Sequence, residues 1–406
     1  MTPEEFRAHA HELVDWMAEY LTHVGERQIV PSVAPGDVRR ALPAAPPDRG
    51  EPFDRIAADF EEIIVPAMTH WNHPGWFAYF PANSSPPSIL AEMLTATLGA
   101  QCMSWQTSPA ATELEQLVME WLRQMLALPD GFTGVIQDTS STATLVALLT
   151  ARERATAYAA GERGLVAVSQ QPLTVYASAE AHSSVPKGVK LAGFGLEQLR
   201  SIAVDSAFAM RPDLLEAAIE ADIAAGRKPV CVVATVGTTS STAIDPLRAI
   251  GEICRRHGIW LHVDASYAGS AAILPECRHL FDGVELADSF VFNPHKWMLT
   301  NFDCSAYFVR DVDALLRTFQ VTPEYLRTAR DGDVVNFRDW GIQLGRRFRA
   351  LKLWFVIRSY GVDGVRQMLR RHIALAAEFR TWVEAAADFT VAAPSPFGLV
   401  CFRYAP

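Results

Sequence analysis

Beyond Ala127, short and nearly continuous apolar runs alternate with amphipathic stretches, and no other property of this chain constrains its fold as much. Leu173 to Ser178, Pro229 to Val236, Ile259 to Asp264, Ser289 to Phe292 and Ser305 to Val309 read as strands. Leu214 to Ala225 and Leu247 to His257 between them carry helical spacing. A strand that is apolar on both faces has to be covered on both faces, and helices crossing between parallel strands do that. The expected class is therefore α/β, with a mostly parallel central sheet flanked by helices.

The flanks read differently. Thr2-Pro3-Glu4-Glu5 supplies a cap, a proline at the first helical position and an acidic first turn. Leu13, Trp16, Met17, Tyr20, Leu21 and Val24 then follow helical spacing, a stripe suited to a core or to a second subunit. Prolines from Pro31 to Pro52 mark a connector, and a second helix is expected from Phe53 to about Met68. Tyr79 to Pro87 reads as a loop, and a long helical region is expected from Ile89 towards Ala127. After Trp340 the pattern is helical again, and Leu399 to Arg403 resembles one more strand.

Composition narrows the function classes. Half of the 406 residues are hydrophobic and the mean hydropathy is +0.08, enough for a large core with apolar surface left over for a subunit interface. A net charge of −10 argues against nucleic acid or an anionic membrane as partner. Six scattered cysteines, without ligand spacing, suggest free thiols in a reducing cytoplasm and no metal site. The acidic start is unlike a secretory signal, and no apolar run reaches the roughly 18 residues of a membrane span.

Chemistry-bearing residues gather where strands or helices end, which is where open parallel sheets bind ligands. Lys296, in Asn293-Pro294-His295-Lys296-Trp297, follows the run ending at Phe292. Burial there lowers an amine's pKa, which suits Schiff-base chemistry; a lysine reaching solvent is the plainer alternative. Asp264 ends the run Ile-Trp-Leu-His-Val and needs a cation, such as a protonated pyridine nitrogen, unless it is a cap or an ordinary ion pair. His182 follows another strand and is placed either to stack on an aromatic ring or to sit in the core. Gln137 to Thr144 precedes an apolar helix, offering hydroxyls and free N–H groups to an anion or simply an N-cap. Gly237-Thr238-Thr239-Ser240 adds donors after a further strand. Each signal is weak alone; their order along the chain is stronger.

Together these segments resemble the group II pyridoxal-phosphate decarboxylases, in particular the aromatic-L-amino-acid decarboxylase subfamily in its bacterial form. The carrying motifs are His73-Pro74 through Ala78-Tyr79-Phe80-Pro81, Gly134 to Thr139, Ala181 to Val185, His262 to Ala265, Asn293 to Trp297 and Leu344-Gly345-Arg346-Arg347-Phe348. The resemblance covers essentially the whole chain. It implies the type I, aspartate-aminotransferase-like fold of PLP-dependent transferases, with residues 1–80 as an N-terminal helical dimerisation segment, 81–345 as the large cofactor domain and 346–406 as an incomplete small C-terminal domain. It implies pyridoxal 5'-phosphate as cofactor, with Lys296 as Schiff-base lysine, Asp264 on the ring nitrogen, His182 stacked on the ring, and Ser140, Ser141, Asn293 and His295 on the phosphate, with Thr239 nearby. Trp71, Tyr79, Phe80, Met103 and Gly345 match substrate-contact positions, and Tyr325 matches the tyrosine of the family's catalytic loop.

The implied reaction is loss of CO2 from an aromatic L-amino acid of the tryptophan, 5-hydroxytryptophan, DOPA or phenylalanine class, in a cytoplasmic homodimer with sites at its interface. Tyr325, where relatives that synthesise aldehydes carry phenylalanine, implies an amine product; an aldehyde synthase is the alternative. The family continues beyond the position of Pro406, so Leu399 to Arg403 is expected to be at most partly paired. Either the sequence is truncated there or the segment is lost, and the loss would make a catalytically impaired dimer partner the alternative reading.

Overall fold

The computed structural model describes all residues except 81–83, 169–170, 322–329 and 331. Two compact units are present, Met1–Ala82 and Asn83–Pro406.

In the first unit, α1 (Pro3–His23) opens with a capping box: Thr2 Oγ1 accepts the Glu5 N–H at 3.2 Å, and Glu5 Oε2 accepts the Thr2 N–H at 2.7 Å. Trp16 stacks on Tyr20 at 5.3 Å and meets Phe60 edge-on at 5.2 Å. No residue of α1 is fully buried, so its aromatic stripe is not the core expected of it within this unit. A short helix, α2 (Asp37–Ala41), interrupts the connector, and α3 (Phe53–Asp59) follows. The single helix expected to about Met68 instead widens to a π turn over Phe60–Ile64 and tightens to a 3-10 turn over Val65–Ala67. Pro66 explains the break, since it lacks an N–H and its ring crowds the carbonyl four residues back.

The second unit begins with α4 (Pro86–Leu98) and α5 (Pro109–Met125). These correct the expected continuous helix from Ile89 to Ala127: Gly99, at φ 57°, turns the chain out of α4, and Pro109 starts α5 afresh. There follow β1 (Thr133–Gln137), α6 (Ser140–Ala155), α7 (Ala159–Arg163), α8 (Leu165–Val168), β2 (Leu173–Ser178), α9 (Ser184–Leu191), β3 (Leu199–Ile202), α10 (Pro212–Ala224) and β4 (Lys228–Thr235). Then come α11 (Leu247–His257), β5 (Trp260–Asp264), β6 (Ser289–Phe292), α12 (Pro294–Trp297), β7 (Ser305–Val309), α13 (Val312–Phe319), α14 (Arg349–Ala385), β8 (Phe389–Val391) and β9 (Phe402–Tyr404).

Seven strands form one sheet in the order β1-β7-β6-β5-β4-β2-β3. β6, β5, β4, β2 and β3 run parallel, and β7 is antiparallel to both β6 and β1. β1 therefore points the same way as β4, β5 and β6. All five strands expected from apolar runs are present, and β1 and β3 are additional. Burial is complete along β2, β5, β6 and β7, as strands covered by helices on both faces require. β1 contains Gly134 because a Cβ there would lie 2.4 Å from Met119 Cε and 2.8 Å from the Phe308 ring.

The directions of these strands position the site. Gln137, Ser178, Thr235, Asp264 and Phe292 are strand C-termini on one edge of the sheet, and Ser305, the first residue of β7, pairs with Gln137 on that edge. Beyond it, α14 is kinked at Gly361, and β9 pairs antiparallel with β8 along one side only. The strand expected over Leu399 to Arg403 is thus shifted to Phe402–Tyr404, exposed and partly paired. Ahead of it, Phe397 is fully buried against the stacked pair Tyr267 and Trp297, whose rings lie 4.8 Å apart.

Candidate active site

The start of α6 is built to hold an anion. Thr139 is its N-cap; its hydroxyl accepts the Thr142 N–H at 3.4 Å and its carbonyl the Ala143 N–H at 3.1 Å. The Ser140 and Ser141 N–H groups are then the first-turn donors left to a ligand, at the positive end of the helix dipole. The Ser140 hydroxyl donates to Asn293 Oδ1 at 2.6 Å, and the Ser305 hydroxyl donates to the same oxygen at 2.6 Å. Asn293, 2% exposed, is thereby fixed with its amide nitrogen as the donor end. The Ser140 hydroxyl is thus engaged by Asn293, and Ser140 offers an anion its backbone N–H. Ser141 is exposed and keeps its hydroxyl.

His295 adds a further donor. Its Nδ1 accepts the backbone N–H of Cys304 at 2.9 Å, which leaves the proton of the neutral ring on Nε2. Burial, with the charge of Lys296 beside it, lowers its pKa to about 4, so at neutral pH it donates as an uncharged group.

Asp264, 3% exposed at the end of β5, accepts the Ser266 N–H at 3.0 Å and the Ser266 hydroxyl on Oδ1. Asp264 ends β5, His182 follows β2 and Lys296 follows β6, all on this edge, and the charge of Asp264 favours the protonated form of the other two. Burial lowers the pKa of Lys296, and Asp264 opposes that shift. His182 follows β2, and its Nδ1 accepts the Ser184 N–H at 3.1 Å while bonding the Ser184 hydroxyl at 2.9 Å. Burial also lowers its pKa, although the residue as a whole stays exposed. Thr239 is exposed in the loop after β4, where Gly237 adopts φ 86° because a Cβ would lie 2.6 Å from that of Ala268.

Residues not singled out from the sequence complete this edge. Ser305 holds Asn293. Asp245, fully buried, accepts the N–H groups of Thr235 at 2.8 Å and Met210 at 2.7 Å, and burial raises its pKa to about 6. His262 lies two residues before Asp264, hence on the same strand face. Ser289 accepts the Trp260 indole N–H and bonds His262 Nδ1, both at 2.9 Å. His262 opens the motif His262 to Ala265, and the others carried no sequence signal beyond a polar residue near an apolar run.

The residues expected to contact substrate fall in both units. Trp71, Trp76 and Tyr79 cluster in the first, with Trp71 stacked on Tyr79 at 5.7 Å; Tyr79 is exposed and Phe80 half-buried. In the second, Met103 is half-buried and its carbonyl accepts the Arg338 N–H at 2.8 Å. Gly345 is exposed, with Gln101 Nε2 3.3 Å from where a Cβ would stand. Tyr325 lies outside the described residues.

The donor set fits pyridoxal phosphate. It combines an anion site of N–H and amide donors, a buried carboxylate for a cationic ring nitrogen and a lysine with a lowered pKa. The buried Thr235 Oγ1 at the end of β4 and His262 Nε2 within β5 have no hydrogen-bond partner among the described residues. The comparisons agree. Residues 35–405 match the pyridoxal-dependent decarboxylase conserved domain. The chain is 47% identical to the aromatic-L-amino-acid decarboxylase of Bos taurus, covering 99% of this chain and 85% of that protein. It is 44% identical to the phenylacetaldehyde synthase of Arabidopsis thaliana, covering 100% and 84%. Among solved structures, Oryza sativa TDC with PLP and tryptamine superposes with a TM-score of 0.96 at 40% identity, covering 100% of this chain and 84% of that one. An anion site at the start of α6, a buried Asp264 whose charge acts on Lys296, and a family match over nearly the full length lead to one conclusion: this chain belongs to the pyridoxal-dependent decarboxylases, a family of carboxy-lyases.

Proposed function

We propose that this protein decarboxylates an aromatic L-amino acid, of the tryptophan, 5-hydroxytryptophan, DOPA or phenylalanine class, to the corresponding amine. The observation that carries the reading is the mutual placement of Asp264, Lys296 and His182 on the same sheet edge as the start of α6. Pyridoxal phosphate, when bound, supplies the electron sink for loss of CO2. The chain supplies the rest. The N–H groups of Ser140 and Ser141, the Asn293 amide and the His295 Nε2–H hold the phosphate, with Thr239 close by. Asp264 keeps a proton on the ring nitrogen, and Lys296 offers an amine that burial keeps more readily neutral. His182 would lie against the ring of the bound cofactor. Tyr325 delivers the proton that replaces CO2 at Cα while the site excludes water. Trp71, Tyr79, Phe80, Met103 and Gly345 retain the substrate contacts their motifs imply.

We place the protein in the cytoplasm as a homodimer with sites at its interface. Its half-apolar composition and the incompletely covered stripe of α1 support that assembly. A monomer by sedimentation at micromolar concentration would contradict it. The decisive experiment supplies the purified protein with pyridoxal phosphate and a panel of aromatic and acidic amino acids, scoring CO2, amine and peroxide. Amine and CO2 in equal amounts from an aromatic substrate, abolished in Lys296→Ala, is the expected result. CO2 from acidic substrates alone would overturn it. The similarity to a phenylacetaldehyde synthase favours a second reading, aldehyde formation, which peroxide in place of amine would establish.

A further inference from the structure

We infer that Arg346, braced by Glu115, is a positioning residue that locks the anion site to the wall carrying Met103 and Gly345; this rests on the functional reading above. β1 is an edge strand, hydrogen-bonded only to β7. At Ile136 its outer side has no neighbouring strand, and two side chains take that place. Glu115 Oε1 accepts the Ile136 N–H at 2.9 Å, and Arg346 Nη2 donates to the Ile136 carbonyl at 2.8 Å. The two side chains are joined by a bidentate pair of 2.6 and 3.1 Å, and only 3% of the Glu115 and 7% of the Arg346 side chain is exposed. Four residues further on is Ser140, at the start of α6.

The same arginine grips two other segments. Its backbone N–H donates to Gln101 Oε1 at 2.7 Å, and its carbonyl accepts the Cys102 N–H at 3.0 Å, beside Met103. Its guanidinium stacks over Phe337 at 4.7 Å, and the next residue, Arg338, donates its N–H to Met103. Gln137 Nε2 donates to the Trp340 carbonyl at 3.2 Å, tying β1 to that segment a second time. Arg346 thus ties three segments together, its backbone bonding Gln101 and Cys102 while its guanidinium reaches the Cys102 carbonyl at 3.5 Å, the Ile136 carbonyl and the Phe337 ring. A buried ion pair is weak evidence for stability, because apolar side chains of similar volume often serve as well. Its directional bonds to one residue's N–H and C=O are what an apolar replacement could not supply.

The test compares wild type with Arg346→Lys, which keeps the charge and loses the fork, and with Glu115→Gln, which keeps shape and an acceptor. Pyridoxal phosphate affinity of the apoprotein is titrated by visible absorbance, the apoprotein Tm is measured, and kcat and KM are determined separately. Arg346→Lys is expected to weaken cofactor binding and raise KM together, each about 10-fold, with a smaller fall in kcat, and Glu115→Gln to shift both the same way by less. A lowered Tm with cofactor affinity and KM unchanged would mean a merely structural pair and overturn the inference. Cofactor affinity that falls while KM stays put would overturn it too. If Arg346→Lys does not fold, Glu115→Gln decides by the same criteria. Failure of wild type to take up pyridoxal phosphate would instead sink the functional reading.

Discussion

His295 Nδ1 accepts the backbone N–H of Cys304 at 2.9 Å, joining the residue before the candidate Schiff-base lysine to the chain entering β7. That bond requires an unprotonated Nδ1. Burial agrees, lowering the His295 pKa to about 4, and fully buried His262 is lowered to about 4 as well. Both folded values lie below the unfolded value of about 6.5. Each group therefore leaves stability untouched above that value and removes it as pH falls from about 6.5 towards 4, on the order of 2–3 kcal/mol per histidine. His295→Asn keeps an acceptor for Cys304 but does not titrate. Its urea midpoint should fall less than wild type's between pH 7.5 and pH 5, and identical acid losses would refute the assignment.

Asn293 is held by two hydroxyls on its oxygen, so its nitrogen faces the anion site as a donor. Asn293→Asp replaces that donor with an acceptor carrying negative charge. Its affinity for pyridoxal phosphate, from an absorbance titration of the apoprotein, should drop about 100-fold or more, since hydrogen bonds to charged groups are worth roughly 1.5–3 kcal/mol and repulsion adds to their loss. Asn293→Ser should lose less. Equal binding by Asn293→Asp and wild type would remove Asn293 from the phosphate site.

Much of the fold was legible because buried parallel strands leave unbroken apolar runs, as in Leu173–Ser178 and Ser289–Phe292. β1 was not, since Thr133-Gly134-Val135-Ile136-Gln137 is interrupted by the glycine its packing demands. β3 is a sheet edge on which Leu199, Arg200 and Ser201 are incompletely buried, so no apolar run announces it. Lys296, Asp264 and His182 could be found because strand ends are local features. Arg346 lies in a motif, but its pairing with Glu115 could not be found: the two are 231 positions apart, and no spacing rule links a helix residue to a loop that distant.

Tyr325 is proposed to return a proton to Cα, a step no other residue named here is assigned. Tyr325→Phe removes the O–H and changes little else in volume. Amine output should fall by about 100-fold or more, the usual range for loss of a general acid, while oxygen uptake rises. Cofactor affinity should be unaffected, which separates this variant from Asn293→Asp. Unchanged amine yield would dismiss the role.

Gly345 tests the size of the substrate space. A Cβ there would stand 3.3 Å from Gln101 Nε2, close enough that Gln101 must shift by a few tenths of an ångström. Gln101 is not free to move at no cost, because its Oε1 accepts the Arg346 N–H at 2.7 Å. Gly345→Ser therefore either pushes Gln101 off that bond or projects its hydroxyl into the space where the ring is proposed to lie. Both outcomes penalise a large ring more than a small one. The KM for tryptophan should rise about 10-fold, a difference of about 1.4 kcal/mol, and the KM for phenylalanine by less. Equal increases for the two substrates would show that Gly345 does not face the ring.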